Sequence, residues 1–333
     1  MKTVLITGGA GYIGSHIGYL LSLFGYRIVI LDKLVYEQSF DHPWARLIQA
    51  DFGDEKQLDE IFLHYQIYAV IHCAALIEVG ASVTHPLPFY QNNVAKTVTL
   101  LETMLKYDVK TILFSSSCAV FGEPKTLRLN ENHSFNPISP YGRTKYMMEM
   151  IIKDMGQAYG FSYVIFRFFN AAGACPQEGL GEQHTPETHL IPLLLRACLE
   201  QRPFFIFGDQ KPTPDGSCIR DFVHVLDIAK AHLVALEYLD KGNASDIFNL
   251  GTGKGISVKE MIEAVECHCG KKVQIVTAPD RQGDPALLVA DPTKANTILG
   301  WYPEYSDIDS IIDSAYSFMC RYQHISKITQ NVL

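Results

Sequence analysis

The chain opens on a short apolar run, Thr3-Val4-Leu5-Ile6-Thr7, which ends in glycines and is followed by a helical pattern over residues 12–24. The alternation then repeats. Residues 26–32 read as a second strand, 46–50 as a short third, and 68–73 as a fourth, after a helix near 55–65. A mostly helical stretch over 83–107 leads into a fifth strand at 109–117, and a helix over 140–159 leads into a sixth at 161–168. Strands alternating with helices predict an α/β fold, a doubly wound parallel (Rossmann-type) sheet with helices on both faces. After Asn170 the pattern changes. Residues 171–187 are rich in Gly, Pro, Glu and His, too polar and interrupted for a core element, and read as a loop that closes over something. Helices over 190–200, 226–238, 258–267 and 308–322 and a strand over 204–207 then alternate irregularly, as in a smaller, segmentally built C-terminal α/β domain.

Composition narrows the class. Hydrophobic residues make up 47% of the 333 and charged residues 19%, enough for a substantial core. The net charge of −8, with no run of Lys or Arg, argues against a nucleic-acid partner. No stretch approaches the ~20 apolar residues of a membrane span, and residues 2–7 read as a strand rather than a signal peptide. Eight cysteines without regular spacing do not form a disulfide framework. Cys267-His268-Cys269 does not form a metal set, because residues one or two apart diverge on a helix. No metal is expected, and a reduced, cytoplasmic location is.

Three stretches carry chemistry. Gly9, Gly11 and Gly14 satisfy G-x-G-x-x-G between a strand and a helix, and Gly8, Gly11 and Gly14 give the overlapping G-x-x-G-x-x-G. Small residues there let backbone N–H groups approach a pyrophosphate at the helix N-terminus. Asp32 ends the second strand eighteen residues past Gly14. A carboxylate at that place accepts from both adenosine ribose hydroxyls and repels a 2′-phosphate, which favours NAD over NADP; the neighbouring Lys33 weakens that preference. Asp51, at the end of the third strand, fits either the adenine edge or an ordinary turn. Ser115-Ser116-Ser117 end the fifth strand, at the edge where such sheets bind ligands. In Ser139-Pro140-Tyr141-Gly142-Arg143-Thr144-Lys145, Pro140 suits a first helical turn and Tyr141 and Lys145 share a face. Free tyrosine titrates near ~10; a base useful at neutral pH sits roughly three units lower, about 4 kcal/mol of differential stabilisation.

Together the glycine turn, Asp32, the strand-five serine and Tyr-x-x-x-Lys resemble the extended short-chain dehydrogenase/reductases. Phe168-Phe169-Asn170, Thr188-His189-Leu190-Ile191-Pro192, the block from Pro212 to Val225, Arg281-Gln282-Gly283-Asp284 and Ala290-Asp291 narrow the resemblance to the UDP-glucose 4-epimerase family, over roughly residues 1–320. The resemblance implies NAD as cofactor and a UDP-sugar as substrate, with inversion at C4 of a UDP-hexose through a 4-keto intermediate. It implies Ser117, Tyr141 and Lys145 as catalytic residues. Gly8, Gly11, Tyr12, Ile13 and Gly14 fall at the pyrophosphate, Asp32 at the ribose, and Asp51 and Phe52 at the adenine. Cys73, Ala74, Ala75, Leu76, Asn93 and Ser115 line the rest of the cofactor, with Tyr141, Lys145 and Phe169 near the nicotinamide end. Asn170, His189, Leu190, Phe207, Arg220, Arg281 and Asp284 match positions that hold the nucleotide sugar, beside Ser117, Tyr141 and Leu288. Arg220 and Arg281 can meet a diphosphate with planar donor forks.

Three positions depart from the family pattern. Ile77 stands where some members carry lysine, the segment from Lys33 to Gln38 lacks the usual Asn-Ser, and Leu288 replaces a frequent tyrosine, which leaves room for a 2-acetamido group. Related activities on UDP-GlcNAc, UDP-glucuronate or UDP-pentoses are the alternatives. Nucleotide-sugar dehydratases place acids where Cys118 and Ala119 stand, and a non-catalytic NAD sensor would lack the Ser-Tyr-Lys set. On this reading residues 1–170 bind NAD, segments around 220–250 return to that domain, 171–323 mainly bind the UDP-sugar, and 324–333 are a tail. The resemblance also implies a homodimer through the helical stretches 83–107 and 140–159, where Met147, Met148, Met150, Ile151 and Ile152 place apolar groups on more than one face.

Overall fold

All five residues of the first strand are buried, because both of its faces are covered. Val4 and Ile6 point into one core and Leu5 into the other, as the two-residue period of a strand requires. The computed structural model that shows this describes residues 1–35, 40–280 and 285–330. Its strands are β1 (Thr3–Thr7), β2 (Arg27–Asp32), β3 (Ala45–Gln49), β4 (Ile67–His72), β5 (Thr111–Ser117), β6 (Ser162–Phe168) and β7 (Asn170–Ala172). Then come β8 (Pro203–Phe207), β9 (Ile219–Arg220), β10 (Phe222–His224), β11 (Asp246–Leu250), β12 (Ile256–Ser257), β13 (Gln274–Ala278) and β14 (Leu287–Leu288). The helices are α1 (Tyr12–Leu23), α2 (Glu55–His64), α3 (Val79–Thr84), α4 (Pro86–Tyr90) and α5 (Lys96–Lys106). They continue with α6 (Pro140–Tyr159), α7 (Leu190–Glu200), α8 (Val225–Asp240), α9 (Val258–Cys269) and α10 (Ile308–Gln330).

The main sheet has seven strands in the order β11-β6-β5-β4-β1-β2-β3, every neighbour parallel. The chain winds outward from β1 in one direction to β3, then from β4 in the other. The crevice between the C-terminal ends of β1 and β4 is therefore the switch point at which such sheets bind nucleotides. Helices α1 and α8 pack together on one face. On the other, Leu100, Leu101 and Met104 of α5 and Met148 and Ile152 of α6 join the core. β11 is a seventh strand beyond the six that the sequence pattern predicts.

The expected helix over 83–107 is broken. Pro86 disfavours the helical conformation at His85, which takes φ −134° and ψ 71° between α3 and α4. A π-helical turn, Gln91–Ala95, separates α4 from α5 and turns Asn93 inward, 3% exposed. By contrast α6 starts and stops where its sequence says. The Ser139 hydroxyl accepts from the Gly142 N–H, Pro140 fills the first turn, and Gly160 ends the helix at φ 73°.

After β7 a further core gathers Leu194, Leu195, Met261, Val265, Ile311 and Ile312 from α7, α9 and α10, flanked by the parallel β8–β13 ribbon. The last helix continues to Gln330, through most of the segment read as a tail. No described helix is long and apolar enough to cross a membrane. No disulfide links any of the eight cysteines.

Candidate active site

The glycine turn is built for close approach. Gly8 has φ 69°, and a Cβ there would lie 2.6 Å from the Ala74 nitrogen across the crevice. A Cβ on Gly14 would lie 2.4 Å from the Gly8 carbonyl oxygen. Gly11 is the N-cap of α1, no side chain caps this end, and the first turn holds no acidic residue. The positive end of the helix dipole therefore opens onto the crevice, a fit for a dinucleotide pyrophosphate. The two Asp32 oxygens accept from the Ala10 and Leu34 N–H groups at 3.0 and 2.9 Å, which aims the carboxylate at the end of β2.

Several residues expected to line the cofactor act through others. Asn93 accepts from the Leu76 N–H at 2.8 Å and donates to the Leu76 carbonyl at 2.9 Å and to Thr144, so it clamps the loop after β4. The Tyr12 hydroxyl donates to the Gly173 carbonyl at 2.7 Å and is buried. Ser115 donates to Cys73, which burial pushes up to about 11. Phe52 is buried behind the crevice. Ala75 is half-buried, and Ile77, at the family's lysine position, donates its N–H to Glu78. Asp51 is held by Lys33 at 2.5 Å, Lys96 at 2.6 Å and the Gly53 N–H. Burial opposes its charge, but these partners outweigh it and keep the carboxyl below its ordinary value. Lys33 is thereby engaged by Asp51. Residues 36–38 of the atypical segment lie outside the described residues.

Ser117 and Tyr141 meet. The Ser117 hydroxyl lies near enough to the phenol to lower its proton affinity, and the Ser117 oxygen accepts from the Ala119 N–H at 3.2 Å. Tyr141 is buried, its backbone N–H donating to Ser82 of α3. Burial raises the phenol to about 12; the Ser117 hydroxyl acts downward, and Cys118 and Glu78 act upward. Lys145 shares the helix face, with Nζ 5.9 Å from the Tyr141 ring centre, but it donates to the Ser115 carbonyl at 2.7 Å. Burial lowers it to about 8, against the upward pull of Cys73 and Glu149. The ammonium is thereby engaged by a backbone carbonyl, so the lysine supplies at most part of what an acidic tyrosine needs.

A supporting network behind these residues was not read from the sequence. Glu149, one turn beyond Lys145, accepts from Ser116 at 2.6 Å and from Arg167 at 2.9 and 2.6 Å. Both charges are essentially unexposed, and the Arg167 guanidinium lies against the rings of Phe121 and Phe135, 5.2 and 4.6 Å from their centres. The network ties the end of β5 to α6. Its one sequence signal was Glu149 repeating the four-residue spacing of Tyr141 and Lys145.

On the substrate side, Asn170, His189 and Leu190 line a small cavity of about 60 Å³, and Ser117 and Tyr141 lie outside it. His189 Nδ1 is 2.7 Å from Glu182 and 2.9 Å from Glu187. Burial opposes its charge, yet the two glutamates raise it to about 10. Arg220 of β9 pairs in register with Leu288 of β14 and donates to its neighbour's carbonyl, Ile219, at 2.8 Å. Leu288 packs against the cluster of Cys118, Phe121 and Phe169. Phe207 ends β8, half-buried. Arg281 and Asp284 lie outside the described residues.

A dinucleotide crevice with a Ser–Tyr–Lys set at its mouth is the site of an NAD-dependent enzyme of the Rossmann class. The family model for the "NAD dependent epimerase/dehydratase family" matches residues 4–251, and the chain belongs to that family. It is 45% identical over 322 residues to the UDP-glucose 4-epimerase of Halalkalibacterium halodurans, covering 96% of each chain. Among solved structures it is similar to UDP-glucose 4-epimerase from Brucella ovis in complex with NAD. That likeness has TM-score 0.90 and 42% identity over 95% of this chain and 98% of that one. It is also similar to the UDP-Glc/GlcNAc 4-epimerase from Campylobacter jejuni, with TM-score 0.82 and 39% identity over 96% and 100%.

Proposed function

We propose that this protein inverts C4 of a UDP-hexose, interconverting UDP-glucose and UDP-galactose through a 4-keto sugar. The observation that carries the proposal is the approach of the Ser117 hydroxyl to the buried Tyr141 phenol, with Lys145 on the same helix face, in a chain similar over nearly its whole length to UDP-glucose 4-epimerases. When bound, NAD+ supplies a hydride acceptor and a positive charge.

Tyr141, as phenolate, takes the 4-OH proton while the C4–H bond breaks, and later returns it. Ser117 bridges the sugar oxygen and Tyr141. Lys145, at about 8, keeps most of its charge at neutral pH. Tyr141 starts from about 12, so reaching pH 7 takes about five units, about 7 kcal/mol. That value already includes the downward pull of Ser117, so the shift falls mainly to the charge that arrives with the cofactor, beside Lys145. Asp32 receives the adenosine ribose, and the uncapped start of α1 receives the pyrophosphate. The keto sugar must turn over between proton removal and return, so the chain has to hold UDP firmly and the hexose loosely. Asn170, His189, Leu190, Phe207 and Arg220 are the described residues assigned by resemblance to the UDP side, together with Arg281 and Asp284. Elimination of water, as in a dehydratase, needs an acid beside Ser117. Burial instead pushes the Cys118 thiol up to about 12, and Ala119 carries no acid.

A second reading extends the substrate to 2-acetamido sugars. Leu288 supports it, since a leucine beside Phe169 leaves more room than a tyrosine. A coupled assay across UDP-galactose, UDP-GlcNAc, UDP-glucuronate and UDP-pentoses, with absorbance of reduced nicotinamide followed on mixing, tests both. Turnover of UDP-galactose is expected. No turnover of any UDP-sugar overturns the assignment, and no turnover of UDP-GlcNAc at enzyme levels that saturate UDP-galactose conversion overturns the broader range.

The division near residue 170, a cytoplasmic location and a homodimer belong to the same proposal. Eight cysteines with no disulfide among them fit a reducing compartment. Val79, Val83, Leu87, Met147 and Met150 on α3, α4 and α6 remain exposed, an apolar face that a second copy would cover.

A further inference from the structure

We infer that Glu182, His184, Glu187 and His189 form a closed binding site for one divalent cation of the zinc class. One donor atom from each residue lies within 4.8 Å of the other three. His189 Nδ1 is 2.7 Å from Glu182 Oε1 and 2.9 Å from Glu187 Oε1, and His184 Nδ1 is 3.4 Å from Glu182 Oε1. Ligands at the roughly 2.0–2.2 Å of a tetrahedral zinc site stand about 3.3–3.6 Å apart, so small side-chain shifts complete the shell. Two imidazole nitrogens with two carboxylate oxygens suit zinc and its neighbours, whereas calcium and magnesium take oxygen shells.

Charge points the same way. The Glu182 and Glu187 side chains are 9% and 2% exposed, which buries two negative charges side by side. An imidazolium at His189 returns only one positive charge; a divalent ion between neutral imidazoles cancels both. The sequence motif is Glu-x-His on each side of a bend at residues 185–186. The site also has a built floor: Gly181 lies so flat on Phe318 that a Cβ would come within 2.3 Å of the ring. Four protein ligands leave no open position, which marks a structural ion. It ties the loop between β7 and α7 to the first turn of α7, since His189 is the N-cap of that helix. Asn170 and Leu190 line the cavity beside it.

The test uses the full chain stripped with a chelator. Zn²⁺ alone is titrated in by calorimetry, bound metal is counted by mass spectrometry, and melting is followed with and without the ion. One equivalent per chain and a higher melting temperature are expected. His184→Ala and Glu187→Gln should each weaken binding by more than the roughly 10–100-fold that loss of a supporting hydrogen bond costs. Co²⁺ added to the wild-type chain should give the visible absorption of a four-coordinate site, a readout that does not depend on the variants folding. Substoichiometric zinc in the stripped wild type, a cobalt spectrum of six-coordinate type, or folded variants that bind like wild type would each overturn the inference. None of these readouts depends on sugar turnover.

Discussion

Replacing Tyr141 with phenylalanine removes one oxygen from a side chain 9% exposed and leaves the ring in its packing. Ser117 still accepts from the Ala119 N–H, so the stability cost is at most one hydrogen bond, about 1 kcal/mol. The catalytic cost is larger. A positioned base contributes about 10²–10⁴-fold, or about 3–5 kcal/mol of barrier. Coupled measurement of UDP-galactose conversion should show kcat reduced by that factor, while calorimetry finds UDP bound within about a factor of two of wild type. The pH profile adds a sign. At a pKa of about 12 only about one phenol in 10⁵ is ionised at pH 7, so the working enzyme must hold a lower value. The wild-type rate should then rise with pH up to that lower value and level off, and the variant's residual rate should lack this limb. A kcat within about tenfold of wild type, or a loss confined to KM, would refute the role given to Tyr141.

Three further outcomes follow from the geometry. Glu149→Leu leaves Arg167 charged and unpaired in the core, so chemical unfolding should register a loss of about 3–5 kcal/mol; adding Arg167→Met should recover most of it, and an unchanged unfolding midpoint in the single variant would contradict the buried network. Gly8→Ala forces a left-handed residue to carry a Cβ 2.6 Å from the Ala74 nitrogen, and the purified variant should carry little or no NAD by absorbance; wild-type cofactor content would refute the close-approach argument. In metal-free protein His189 is raised to about 10 from an unfolded value near ~6.5, so its contribution to stability is full below that lower value and is lost as pH rises through about 10. Melting temperatures of chelated protein should fall across that window more than those of His189→Ala, and parallel profiles would refute the pairing with Glu182 and Glu187.

The sequence by itself determined the parts whose causes are local. The buried run of β1, the glycine turn and Asp32 follow from strand period, steric room and spacing. The limits of α6 follow from Ser139, Pro140 and Gly160, whose capping preferences act within one helical turn. The break at His85 was locally encoded in Pro86, and the π-helical turn at Asn93 depended on a partner seventeen residues back, Leu76. Only the tertiary structure decided where charges end up. Lys145 shares a helix face with Tyr141, but its ammonium goes to the Ser115 carbonyl, because a buried cation takes the nearest fixed acceptor. The phenol consequently remains at about 12 until a further charge arrives. Arg167 and Glu149, and the four residues that converge around Glu182, meet only when the chain is folded, since their side-chain directions are set by the elements and loops that carry them. Spacing could nominate Tyr141 as a base; burial and partners, which are properties of the fold, set the proton affinity from which it has to work.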